Sequence, residues 1–126
     1  WMPKVDKVYD GLRAFDLMMF GIGAIIGAGV AGLAVAYDAY RISLGGREAP
    51  KVAGLSGDQQ FFLSFAWSWR TKTREAALRQ RIVTDGHAPA EYRADCVRNL
   101  DAWYAAFDVK PGQKLWLAPG ERVQVW

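Results

Sequence analysis

Apolar and polar positions along the chain fall into blocks of different period, and the blocks predict a mainly α protein. Residues 1 to 16, "WMPKVDKVYDGLRAFD", mix acids and bases around Val5, Val8, Leu12 and Phe15, which share one face of a short amphipathic helix. No charged residue then occurs from Leu17 to Tyr37, a run of 21 positions. At about 1.5 Å per residue such a run can span a bilayer core as a helix. Gly21, Gly23, Gly27, Gly29 and Gly32 interrupt it, and each costs a soluble helix about 1 kcal/mol relative to alanine. Either a packing partner offsets that cost or the backbone is not helical throughout. Gly45 and Gly46 then stop the helix, and Pro50 bars a quick restart. The resulting boundary, near residues 45 to 54, divides the chain into an amphipathic lead-in with a Gly-rich apolar helix (1–45) and a helical segment (46–126), together one domain.

Beyond the boundary, Ser56 is placed to cap a helix whose first turn holds Asp58, where the helix dipole favours a carboxylate. Phe61, Phe62, Phe65, Ala66 and Trp69 form a broad apolar stripe on that helix, and with Trp67 its aromatic residues are expected in the core. "TREAALRQRIVT" gathers Ala77, Leu78, Arg81 and Ile82 on a further helix, broken at "DGHAP" by Gly86 and Pro89. Leu100, Trp103, Tyr104 and Phe107 mark another, with Asn99 as its cap and "KPG" as its stop. The tail "QKLWLAPGERVQVW" carries β-branched and aromatic residues about the turn "APGE" and is expected to be extended, alone or as a short hairpin. The fold class expected is a small helical domain of three to four helices with a short extended C-terminal tail or hairpin.

Composition narrows the function classes. With 126 residues, 52% of them hydrophobic and 23% charged, the chain is too apolar for disorder and large enough for one modest core. The net charge of +3 is spread along the chain, except where Arg70, Lys72, Arg74, Arg79 and Arg81 face only Glu75. That run reads as a solvated helix face, and no nucleic-acid partner is expected. A single cysteine, Cys96, excludes an intrachain disulfide and a cysteine-rich zinc module. It has no partner base in the sequence, so it is not expected to act as a nucleophile.

The apolar run "GIGAIIGAGVAGLAVAYDAY" can be read in three ways. Gly27, Gly29 and Gly32 satisfy G-x-G-x-x-G, but a dinucleotide site also needs a second strand ending in an acid. After Tyr40 the chain continues as "RISLGGREAP", too short and broken for that strand, and Glu48 is poorly placed, so no dinucleotide cofactor is expected. Residues 12–30, "LRAFDLMMFGIGAIIGAGV", resemble the first transmembrane helix of amino-acid permeases. That likeness allows residues 17–37 to enter a membrane, and with it an alternative reading as a single-span anchored or scaffolding module. The third reading covers residues 31–126. "AGLAVAYDAYRISLGG", "GLSGDQQFFLSFAWSWRTKTREAALRQRIVTDGHAPAEYR", "VRNLDAWYAAFDVKPGQKLWLAP" and "ERVQVW" together resemble the C-terminal region of neprilysin-like zinc metalloendopeptidases.

That resemblance implies zinc-dependent hydrolysis of peptide bonds, a peptide substrate and an extracytoplasmic or membrane-associated setting. In the family two zinc-binding histidines and a general base come from H-E-x-x-H, and a third ligand from E-N-x-x-D. This sequence contains one histidine, so H-E-x-x-H is absent, and Ile25 and Gly29 stand where the family's glutamate and aspartate would fall. No metal ligand and no cofactor are therefore expected in this chain, and peptidase activity would need the rest of a peptidase chain. By the same resemblance His87 matches the histidine that stabilises the transition state. Arg93, six residues on, matches the arginine that binds substrate backbone, although it reads equally well as an ion-pair partner of Glu91 or Asp95.

Overall fold

The computed structural model of the chain describes residues 29–124. Among them are five α-helices: α1 (Val30–Ser43), α2 (Gly57–Ser68), α3 (Glu75–Thr84), α4 (Ala90–Ala94) and α5 (Asp101–Phe107). Two 3-10 turns, Asp95–Asn99 and Pro119–Glu121, complete the regular structure. The helix count exceeds the three to four expected because α4 and the adjoining turn lie in the stretch after "HAP", where no long hydrophobic period announces them. The lead-in of residues 1–16 and the apolar residues 17–28 lie outside the described residues. Among the described residues no helix is long and apolar enough to cross a membrane.

Helix α1 ends where the sequence says it should. Gly45 and Gly46 take φ of 58° and 79°, a region that glycine enters at little steric cost. Helix α2 starts with a full capping box. The Ser56 side chain accepts from the Gln59 backbone amide at 3.2 Å, and Gln59 Oε1 accepts from the Ser56 amide at 3.0 Å. Gln59 Nε2 also donates to the Ala106 carbonyl at 2.9 Å, so one amide side chain ties the start of α2 to the end of α5. Gly57 is buried where α2 meets α1 and the loop that joins them, and a Cβ built there would lie 2.5 Å from that of Ala49 and against the Tyr40 hydroxyl.

The core consists of Leu33, Ala36 and Tyr40 from α1, Phe61, Phe62 and Phe65 from α2, and Val97 and Trp103. Phe61 and Phe62 are the most deeply buried, at 1% and 2% exposure. Their rings pack edge to face at 5.2 Å, while Tyr40 stacks on Phe61 and Tyr37 on Phe62, each at 5.3 Å. Aromatic pairs of this kind contribute roughly 0.5–1.5 kcal/mol beyond the area they bury. Trp67 departs from the expected stripe and is 56% exposed. Its position, two residues from both Phe65 and Trp69, turns it about 200° from them on a 3.6-residue helix.

One further expectation is corrected, and one pair of alternatives is decided. Asn99 does not cap α5, for Leu100 is the cap residue and makes no side-chain cap bond. Asn99 instead donates to the Cys96 carbonyl and accepts from the Val123 amide at 2.8 Å. No hairpin forms in the described part of the tail, because side chains take the backbone bonds that a partner strand would need. Arg98 donates to the carbonyls of Leu115 and Trp116, and Arg122 to that of Leu117. The Tyr104 hydroxyl donates to the Arg98 carbonyl at 2.7 Å and accepts from the Leu117 amide at 3.1 Å. Arg122 lies 3.6 Å above the Tyr104 ring and pairs with Asp101 at 2.5 Å.

The α1–α2 contact also contains a titrating group. Burial, and then the nearby Asp58 carboxylate, push the Tyr37 phenol up to about 12. A raised folded-state value means that the neutral phenol stabilises the fold below the ordinary tyrosine range, and that this contribution is lost as pH climbs from about 10 to about 12. Burial, and then Asp58, raise the neighbouring Tyr40 phenol as well, so ultraviolet titration is expected to show late-ionising tyrosines, and Asp58→Asn is expected to move their ionisation to lower pH.

Candidate active-site loop

The loop between α3 and α4 carries the histidine singled out by sequence. Helix α3 ends at Asp85, whose amide still donates to the Arg81 carbonyl at 2.8 Å while its own backbone turns extended. Gly86 and Pro89 keep the helix from continuing. Asp85 then folds over the loop, and its Oδ1 accepts from the His87 backbone amide at 3.0 Å and lies 2.7 Å from His87 Nδ1. A carboxylate can only accept, so Nδ1 carries the proton and Nε2 is left facing outward on a side chain that is 70% exposed. The bonds to His87 hold the Asp85 carboxyl below the usual carboxylate range. Asp85 is therefore ionised at neutral pH, and the pair is lost only on acidification past the ordinary carboxylate range, as the carboxylate protonates.

Asp85 is the residue that sequence reasoning missed. The signal available for it was the spacing D-x-H at a helix end, where an Asx side chain can reach the amide two residues on. Its consequence is chemical. With Nδ1–H committed to Asp85, the neutral ring offers a lone pair at Nε2, and the protonated ring offers an Nε2–H donor suited to a developing oxyanion. Replacing Asp85 with alanine is expected to release the ring into both neutral tautomers. Long-range proton–nitrogen NMR of the histidine side chain reads that change directly.

Arg93 sits on α4, half-buried, with its guanidinium carbon 4.6 Å from the centre of the Trp69 ring. Among the described residues neither Glu91 nor Asp95 comes within ion-pair distance of it. Stacking on an indole restrains a guanidinium while leaving its N–H fork free to donate. Trp69 is in turn packed edge-on against Phe65 at 6.3 Å, so the core of the domain reaches Arg93 through two aromatic rings. Cys96 is half-buried, and burial raises its thiol above the ordinary value, which leaves it a poor nucleophile at neutral pH.

Among the described residues no three of His, Cys, Asp or Glu converge as metal ligands. His87, the chain's single histidine, is engaged with Asp85. These residues do not form a zinc site. At Gly29, the N-cap of α1, the backbone is extended, no side-chain cap bond is made, and an added Cβ would meet nothing within 4 Å. There is room for a carboxylate at this position, but the residue present has none.

The described residues form a small helical domain that presents a histidine bonded to Asp85 and an arginine stacked on Trp69. Two solved structures similar to it are zinc metalloproteases. The Mycobacterium tuberculosis zinc metalloprotease Zmp1 in its open state matches with a TM-score of 0.75 and 45% identity, over 85% of this chain and 17% of that one. A partial open state of zinc metalloprotease 1 from the same organism matches with a TM-score of 0.62 and 42% identity over 77% of this chain. The chain belongs to peptidase family M13, whose family model matches residues 23–123. Neutral endopeptidase of Lactobacillus helveticus is 33% identical over 98% of this chain and 18% of its own length. Human endothelin-converting enzyme-like 1 is 29% identical over 97% of this chain and 16% of its own length. The chain thus spans less than a fifth of the length of these relatives.

These matches correct one boundary. The family match starts at residue 23 and runs through the glycine-rich stretch that resembles a permease helix. The permease likeness of residues 12–30 is therefore not supported, and no change of family occurs at residue 30. Glycine and large aliphatic residues in an uncharged run produce a membrane-like composition whatever the surrounding fold, and that composition alone carried the likeness.

Proposed function

We propose that this chain is the C-terminal portion of a neprilysin-like metallopeptidase and contributes His87 and Arg93 to peptide-bond hydrolysis without being able to perform it alone. The observation that carries the reading is the Asp85–His87 pair, which fixes one ring nitrogen and leaves the other outward. In this role His87, as imidazolium, donates from Nε2 to the oxyanion of a tetrahedral intermediate, and Arg93 donates to a backbone carbonyl of the substrate. The group that activates water would come from residues that this chain lacks, and by family the setting is extracytoplasmic or membrane-associated. Residues 1–45 and 46–126 are read as parts of one domain within that larger body.

The chain by itself is expected to leave a quenched fluorescent peptide uncleaved, with or without added zinc. Cleavage above background that a chelator abolishes would overturn the proposed dependence on a longer chain. Cleavage that a chelator leaves untouched would overturn the assignment of the site to metal-dependent chemistry.

A further inference from the structure

Helix α3 buries little: Leu78 is half-buried and its other nine residues are exposed. Of its ten residues none is buried, and Ile82 and Val83 are 61% and 84% exposed. An isolated helix of this length is marginal in water, because nucleation is costly and helices shorter than about 12–15 residues rarely persist without packing. Its internal support is one exposed ion pair, Glu75–Arg79 at 2.6 Å, in the i, i+4 relation, a contact that solvent screening keeps weak. Leu78, one turn before Ile82, is half-covered, whereas Ile82 and Val83 form an apolar patch left exposed among the described residues.

We propose that this face docks against the remainder of an M13 peptidase, on an apolar surface rimmed with carboxylates. Three observations select that occupant. The same fold is found as 17% of a much longer metalloprotease chain, so α3 there belongs to a body several times larger. The helix and its flanks carry Arg70, Lys72, Arg74, Arg79 and Arg81 against Glu75 and Asp85. A symmetric dimer would set these basic groups against their own copies, whereas an acidic rim would pair with them. Finally, Asp85 is the cap of this same helix, so seating α3 fixes the residue that orients His87. The proposal rests on the reading of the chain as part of a longer peptidase and gives that reading a contact surface.

The test grafts residues 29–124 in place of the matching segment of the intact Mycobacterium tuberculosis zinc metalloprotease and compares amide exchange of α3 in the chimera and in the isolated chain. In the chain alone, exchange at residues 75–84 is expected to be near the unprotected rate. In the chimera it is expected to slow on the order of 100-fold, as for an element held by tertiary packing. Ile82→Glu with Val83→Glu is expected to abolish that slowing and lower the Tm of the chimera. The Tm of the isolated chain should not move, because both positions face solvent there. Protection that appears in the isolated chain and grows with concentration would assign the face to a second copy. Protection in the isolated chain at every concentration would make α3 self-supporting. Either result overturns the proposal, as does a chimera that fails to fold, one whose α3 exchanges freely, or one indifferent to the paired glutamates. Peptide cleavage by the chimera is read separately: protection without cleavage keeps the docking face and removes the proposed role of the loop.

Discussion

Phe61→Ala is expected to lower the stability of the domain by about 3–5 kcal/mol, as measured by denaturant unfolding followed by far-ultraviolet circular dichroism. Phe61 is 1% exposed and holds the centre of an aromatic cluster, with Tyr37 at 5.2 Å, Tyr40 at 5.3 Å and Phe62 at 5.2 Å. Truncation removes contacts from α1 and α2 together and leaves a cavity that neighbouring rings cannot fill without leaving their own partners. A native protein has only about 5–15 kcal/mol in total, and small domains bury proportionally less surface. The variant is therefore expected to unfold near ambient temperature, whereas Phe61→Leu should cost under about 1.5 kcal/mol. A loss below about 1 kcal/mol for the alanine variant would show that the two helices do not share a core.

Gly57→Ala tests the same crossing with the opposite intuition. On propensity alone, alanine for glycine inside a helix gains about 1 kcal/mol. Here the new methyl would lie 2.5 Å from Ala49 Cβ and collide with the Tyr40 hydroxyl, so backbone or core has to shift. Overpacking of this kind costs about 1–3 kcal/mol, and a fall in Tm of roughly 4–8 °C for each kcal/mol is expected. Tyr40→Phe in the same chain should recover part of the loss by removing the colliding oxygen. Stabilisation by Gly57→Ala would mean that α2 does not approach α1 as closely as described.

Much of this architecture could be read from residue order because its signals are local. Gly45 and Gly46 stop α1, Ser56 caps α2, and Gly86 with Pro89 ends α3, each by a backbone preference that needs no tertiary context. The departures arise where a distant side chain decides. Trp67 belongs to an aromatic stripe by composition but to the solvent face by helical angle, where Arg70 stacks on it at 4.5 Å. Asn99 looks like a cap, yet its amide group is taken by Cys96 and Val123. The tail reads as extended, alone or as a hairpin, because Leu115, Trp116, Leu117, Val123 and Val125 suit strands, and the hairpin is absent among the described residues, where Arg98, Tyr104 and Arg122 hold the backbone. At the candidate site, His87 and Arg93 were legible through resemblance. The carboxylate behind the one and the indole beneath the other became visible only once the chain was folded.

That way of anchoring the tail also bears on association between molecules. Leu115, Trp116 and Leu117 are a short apolar run of the kind that pairs with other strands when its backbone is open, here bounded by Lys114 and Pro119. Such pairing needs a row of unsatisfied backbone groups along an open edge. Here the carbonyls of Leu115, Trp116 and Leu117 are already taken by guanidinium groups, and the Leu117 amide by a phenol oxygen. A sticky sequence is thereby kept from recruiting its neighbours, with no second strand required to cover it.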